Sequence, residues 1–184
     1  MLVLASRSPR RSEILQQAGI PFGTRPADVD ETPREHEHPR DYVTRIATDK
    51  AAAVASGAGE IILGADTTVV IQGEMLAKPR DPADAARMLE TLSGQRHEVL
   101  TGICLKSALR MVQDWSETSV WFVPLSRREI EDYVASGEPM DKAGAYAIQG
   151  LASKFIQRIE GCYFNVVGLP IAAVYRHLRE MTAP

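Results

Sequence analysis

The sequence predicts an α/β fold, a mixed sheet with flanking helices, on three observations. Strand-like and helix-like segments alternate through the first ninety or so residues. Two long β-rich runs, residues 97–106 and 111–123, then follow one another and read as an antiparallel pair. No internal repeat, low-complexity tract or flexible linker divides the chain, so residues 1–184 are expected to form one domain.

Taken in order, Leu2-Val3-Leu4-Ala5 is a first strand. Ser8 reads as the N-cap and Pro9 as the first residue of a helix that stops at Gly19. A short strand fits within residues 22–29, and the polar stretch 28–38, with Pro33 inside it and Pro39 after it, reads as a loop. Residues 39–56 carry Val43, Ile46, Ala47, Ala51 and Val54 on one face, an amphipathic helix ended by Gly57-Ala58-Gly59. Residues 61–71 form a strand, Gln72-Gly73 a hairpin turn and residues 75–77 its return. Asp81 caps a helix with Pro82 at its first position, running to about Leu92. After the long strand pair, Ser126 caps a helix to about Ala135, residues 145–149 and 154–159 read as short extended segments, and residues 166–179 as a closing helix.

Composition narrows the function classes. A chain of 184 residues, 45% apolar and 24% charged, buries a sufficient core without disulfides or metal. The net charge of −3 argues against a nonspecific nucleic-acid binder, which is usually basic, and suits a small anionic ligand met by a local basic patch. Cys104 and Cys162 have no metal-ligand or CxxC spacing and read as idle thiols in a reducing compartment. No signal peptide or membrane-length apolar run is visible, so a cytoplasmic protein with no membrane partner is expected.

Several residues stand where ordinary packing does not put them. Arg10 and Arg11 occupy the first turn of their helix, where the dipole disfavours cations. An anion bound there, held by backbone N–H groups, Ser6, Ser8 and the two guanidinium groups, would explain them; arginines reaching into water would explain them equally. Lys50 lies on the apolar face of its helix and must either snorkel outward or meet an anion. Asp66 interrupts an apolar strand, where a carboxylate needs a cation, a metal or several donors, and function is the favoured reading. Gly64-Ala65 and Thr101-Gly102 leave the backbone open to a ligand or a close neighbour. Lys78, by itself, reads as a solvated loop lysine, and Glu31 as part of an exposed acidic loop. Together, four cations (Arg10, Arg11, Lys50, Lys78) and two carboxylates (Glu31, Asp66) suit a polyphosphate carried by a divalent metal. No Rossmann glycine loop or P-loop is present, and Ser6 and Ser8 have no GxSxG context.

These segments resemble the Maf family of nucleoside triphosphate pyrophosphatases. The likeness rests on Ala5-Ser6-Arg7-Ser8-Pro9-Arg10-Arg11, Gly64-Ala65-Asp66-Thr67, Lys78-Pro79-Arg80-Asp81 and Leu92-Ser93-Gly94, followed by Thr101-Gly102. It continues through Asp141-Lys142-Ala143-Gly144-Ala145-Tyr146, Ile148-Gln149-Gly150 and Asn165-Val166-Val167-Gly168-Leu169-Pro170. The resemblance implies two lobes around a central cleft, a fold related to the inosine triphosphate pyrophosphatases. It implies hydrolysis of a nucleoside triphosphate to the monophosphate and pyrophosphate with Mg²⁺ or Mn²⁺, and it suggests a homodimer. Asp66 matches the family's proton acceptor, and Arg10, Thr67 and Gln149 its specificity positions. The branch acting on 7-methylguanosine triphosphate typically has tryptophan and glutamine at the positions of Arg10 and Thr67, so this chain is similar to the dTTP/UTP branch.

The expected activity is therefore hydrolysis of dTTP and UTP, with CTP and modified pyrimidine triphosphates as further candidates. Ser6, Ser8, Arg11, Lys50 and Lys78 would hold the phosphates, Glu31 and Asp66 the metal, and Arg10, Thr67 and Gln149 the base and sugar end. The alternative is a nucleotide-binding regulator of cell division without turnover, against which Asp66 and the lysines argue.

Overall fold

A computed structural model describes residues Met1–Thr182. Among these the sheet has seven strands: β1 (Leu2–Leu4), β2 (Phe22–Thr24), β3 (Ile61–Ile71), β4 (Glu74–Leu76), β5 (Arg96–Lys106), β6 (Met111–Phe122) and β7 (Ile156–Glu160). The strand order is β2-β1-β3-β5-β6-β7, with β4 on β3. Strand β1 is parallel to both neighbours, Leu2 facing Phe22 on one side and Ile61 on the other. β4 and β7 are antiparallel to β3 and β6. The β5–β6 connection is too short for a parallel crossover, which makes that pair the expected antiparallel hairpin. The helices are α1 (Pro9–Gln17), α2 (Pro39–Ala53), α3 (Pro82–Leu92), α4 (Arg127–Ala135), α5 (Tyr163–Val167) and α6 (Ile171–Thr182). The mixed α/β architecture is thus as the alternation of patterns requires.

The chain folds into two compact units, each built from separated stretches. The first comprises Met1–Thr67, Thr101–Ser116 and the chain from Gly168 on; the second comprises Thr68–Leu100 and Glu117–Val167.

In the first unit, α2 lies backbone-to-backbone on the sheet. A Cβ on Gly64 would run into the Ala47 carbonyl and come within 2.8 Å of Ala51 N, and one on Gly102 would run into the Val43 carbonyl and come within 2.7 Å of Thr44 N. What the bare strand positions admit is therefore a helix of the protein, not a ligand. Val3, Ala5, Ala47, Ala51, Val54, Ile62 and Cys104 close around this contact, which explains the burial of the free Cys104 thiol. Lys106 closes the far end of α2 by donating to the carbonyls of Ala52 (3.3 Å) and Val54 (3.4 Å), complementing the helix dipole.

In the second unit, α3 and α4 bury Ala85, Met88, Leu89, Leu92, Ile130 and Tyr133 against Val69, Val99, Val120 and Phe155. The caps of both helices are as the sequence indicates: Asp81 accepts from Asp84 N at 2.8 Å, and Ser126 with Glu129 forms a reciprocal capping box. His97 is fully buried, edge-on to Phe122 and Tyr146 with centroids 5.0 and 5.4 Å away, and its Nε2 meets the Tyr146 hydroxyl at 2.7 Å. Burial holds its imidazole neutral, pushed down to about 3.

Three expectations differ from the structure. Ala145 ends a 3-10 turn, Ala143–Ala145, instead of opening a strand, because Gly144 at φ +67 bends the chain against Val69. Residues up to Phe155 form another 3-10 turn, Gly150–Phe155, before β7 begins. The closing helix breaks into α5 and α6 at Gly168, whose φ of +122 no helix accommodates, and at Pro170, which cannot continue one.

Candidate active site

Eight of the ten candidate site residues fall in the first unit: Ser6, Ser8, Arg10, Arg11, Glu31, Lys50, Asp66 and Thr67. Lys78 and Gln149 belong to the second, both exposed. Lys78 follows β4, and Gln149 lies between two anchors of its own unit, Tyr146 on His97 and the Leu151 N–H on Glu138 at 3.1 Å.

Lys50 meets an anion, as one reading of its position requires, and in fact meets two. Its Nζ lies 2.7 Å from Asp66 Oδ1 and 2.6 Å from Glu31 Oε1. Asp66 reaches the pair from β3, in the middle of an apolar strand, and Lys50 from α2, between the Ala47 and Ala51 that meet Gly64. Both are more than nine-tenths buried, at 7% and 8% exposure. Burial pushes the Asp66 carboxyl above the ordinary carboxylate range, while the charges of Lys50 and Arg11 pull it back; the buried environment prevails.

Glu31 is held by the loop before α2. Tyr42 on α2 donates from its hydroxyl to the Glu31 carbonyl at 3.0 Å. Arg45, one turn further, forks onto Glu37 at 2.6 and 2.7 Å and donates to the Thr32 carbonyl at 3.2 Å. The acidic loop is thus tied to α2, not merely solvated. Sequence reasoning passed over Tyr42, Arg45 and Glu37; the signal was there in a tyrosine and an arginine three apart on the polar edge of α2, facing an acidic loop.

Arg10 and Arg11 part company. Arg10 is half-buried, whereas Arg11 is 8% exposed and turned into the unit. Its Nε donates to the Gly168 carbonyl (2.9 Å), Nη1 to Ser6 Oγ (3.0 Å) and Nη2 to Thr67 Oγ1 (3.2 Å). Burial lowers the affinity of this guanidinium for its proton and Asp66 opposes the shift. Arg11 therefore neither points into water nor relies on a helix terminus. Ser8 sits at the N-cap position in an extended conformation, but its side chain caps nothing; its N–H donates instead to Ser6 Oγ at 3.2 Å. Thr67 also meets Thr101 Oγ1 at 2.9 Å, a neighbour that the sequence marked only as a break in a strand.

No cluster of three or more His, Cys, Asp or Glu side chains that could hold a metal occurs among the described residues. Glu31 and Asp66 still suit a hard divalent cation of the kind that takes one or two carboxylates and completes its shell with substrate phosphates. No helix among the described residues is long and apolar enough to cross a membrane.

An α/β chain with this order of strands and helices takes the fold seen in the Staphylococcus aureus Ham1 protein. That structure matches with a TM-score of 0.57 at 15% identity, over 98% of this chain and 99% of that one, a likeness of fold alone. The family is narrower: the model described as Maf-like protein matches residues 1–181, and the chain belongs to that family. Proteins named dTTP/UTP pyrophosphatase are similar throughout. The one from Anaeromyxobacter dehalogenans is 54% identical over 100% of this chain and 95% of its own length. Those from Koribacter versatilis and Citrifermentans bemidjiense are 51% and 52% identical over 97% and 99% of this chain.

Proposed function

We propose that this protein is a nucleoside triphosphate pyrophosphatase that hydrolyses dTTP and UTP to the nucleoside monophosphate and pyrophosphate. The observation that carries the reading is the buried Asp66 carboxylate held between Lys50 and the Arg11 field, in a chain about half identical to relatives of that name. A carboxylate raised above its ordinary range accepts a proton from water more readily than an exposed one, so Asp66 serves as general base for attack on the α-phosphorus. Lys50, on leaving Glu31, neutralises phosphate oxygens, and Ser6 and Ser8 donate to them. Lys78 adds a second ammonium group for the phosphates. Mg²⁺ or Mn²⁺, held by Asp66 and Glu31 together with substrate, supplies charge neutralisation on the triphosphate when bound. Arg10, Thr67 and Gln149 meet the base and sugar; the Gln149 amide both donates and accepts, as the edge of thymine or uracil requires. The reading includes a cytoplasmic homodimer, which light scattering on the purified protein checks for mass.

The test is a panel of nucleoside triphosphates with Mg²⁺ or Mn²⁺, the products identified by mass. Monophosphate plus pyrophosphate from dTTP and UTP, abolished by EDTA, is expected. Diphosphate plus orthophosphate would place attack at the γ-phosphorus and overturn the assignment.

A further inference from the structure

We infer that Arg11 is a positioning residue, whose work is to commit the Ser6 hydroxyl to donating a hydrogen bond to the bound anion. The inference rests on the proposed reading only in taking this site to hold phosphate. A serine hydroxyl has two acceptor lone pairs and one proton. Both acceptor directions of Ser6 Oγ are filled from within the chain, by Arg11 Nη1 at 3.0 Å and by the Ser8 N–H at 3.2 Å. The proton that remains has no acceptor among the described residues, although Ser6 is only 7% exposed. A buried hydroxyl in that state carries an unmet donor, and a phosphate oxygen is what it lacks.

Three of the five guanidinium N–H groups of Arg11 go to the chain, one each to the Gly168 carbonyl, Ser6 and Thr67. The same fork therefore fixes two hydroxyls, Ser6 two residues beyond β1 and Thr67 within β3, and anchoring on Gly168 fixes the fork. An arginine so spent acts through Ser6. Lysine, a point charge without the planar fork, cannot hold the three partners at once.

The experiment is a double-mutant cycle on the affinity for inorganic pyrophosphate with Mg²⁺, by calorimetry, in wild type, Ser6→Ala, Arg11→Lys and the double mutant. A charge-assisted hydrogen bond predicts a loss of about 10- to 100-fold for each single mutant. The double mutant is expected to bind little worse than Ser6→Ala alone. Losses that multiply in the double mutant would overturn the inference, as would a wild type that does not bind pyrophosphate. A second comparison avoids any change to Arg11. Ser8 has φ −68, which proline matches, so Ser8→Pro deletes the other donor to Ser6 while keeping the backbone path. Ser8→Pro should bind pyrophosphate several-fold more weakly than Ser8→Ala; equal binding would also overturn the inference. Because the probe has no base, a failure of the dTTP/UTP reading shows separately, as intact pyrophosphate binding without nucleotide turnover.

Discussion

Lys50 compensates two carboxylates at once, and its removal is not equivalent to theirs. Asp66→Asn leaves Lys50 with Glu31, so the buried ammonium keeps a counter-charge. Lys50→Met strands the buried Asp66, and breaking a buried pair from that side costs about 3–5 kcal/mol. Urea unfolding should therefore rank Lys50→Met well below Asp66→Asn in stability; equal losses would mean that Lys50 is not what offsets the burial of Asp66. Activity should show no such leniency. Asp66→Asn should lower kcat by about 10²–10⁴-fold while circular dichroism shows an intact fold. The acid limb of the wild-type rate profile follows from the same group. A base must be ionised, and burial raises the Asp66 pKa, so kcat/KM should fall as pH drops through a value above the ordinary 3.8. A limb at or below 3.8 would assign the proton transfer to another group.

At the scale of elements, the placement of Lys50 depends on how closely α2 approaches the strands. Gly102→Ala pushes a methyl group into the Val43 carbonyl, backbone against backbone, with no side chain free to move aside. It should cost about 1–3 kcal/mol, as overpacking does, and lower kcat/KM by displacing α2 and with it Lys50. Gly23→Ala on β2, where nothing lies within 4 Å, is the matched control and should change neither; both are read by thermal unfolding and steady-state kinetics. The comparison also shows what the sequence could reveal. Hydrophobic period marked α2 and β3, and the intrusion of Asp66 into an apolar strand marked the need for a partner, because burial of charge is improbable without one, whereas Lys50 could equally have snorkelled outward. Period alone could not tell what approached Gly64 and Gly102, since a glycine records that space is needed and not what fills it. Nor could it place Arg11, because two of its three acceptors, Thr67 and the Gly168 carbonyl, come from distant points of the chain. The break between α5 and α6 was legible in Gly168 and Pro170, but the apolar pattern on both sides masked it.

For the whole molecule, stability should erode on the acid side of neutrality before the carboxylates titrate. His97 has an ordinary pKa of 6.5, and burial depresses it to about 3. The unfolded chain therefore binds a proton that the folded chain refuses between these values. The stability contributed by neutral His97 is complete above pH 6.5 and is lost as pH falls toward 3, at up to about 1.4 kcal/mol per pH unit. Glu37, held down to about 2 by its Arg45 fork, acts in the same direction lower on the scale, between 4.5 and 2. Unfolding free energies of wild type and His97→Phe across pH 4 to 7 should converge toward low pH, the variant lacking the histidine slope. Parallel curves would mean that the imidazole stays charged inside the core.

The hydrogen bond from Arg11 to Gly168 joins residues 157 apart in the chain. During synthesis at 5–20 residues per second, about 8 to 30 s separate the two ends of that bond as they leave the ribosome. Lys50 and Asp66 can meet early in that interval, but the guanidinium that bonds Ser6 and Thr67 must wait for its carbonyl until Gly168 has been made. A stalled or clipped product ending before Gly168 thus carries the Lys50–Asp66 pair with Arg11 lacking the carbonyl that anchors its fork.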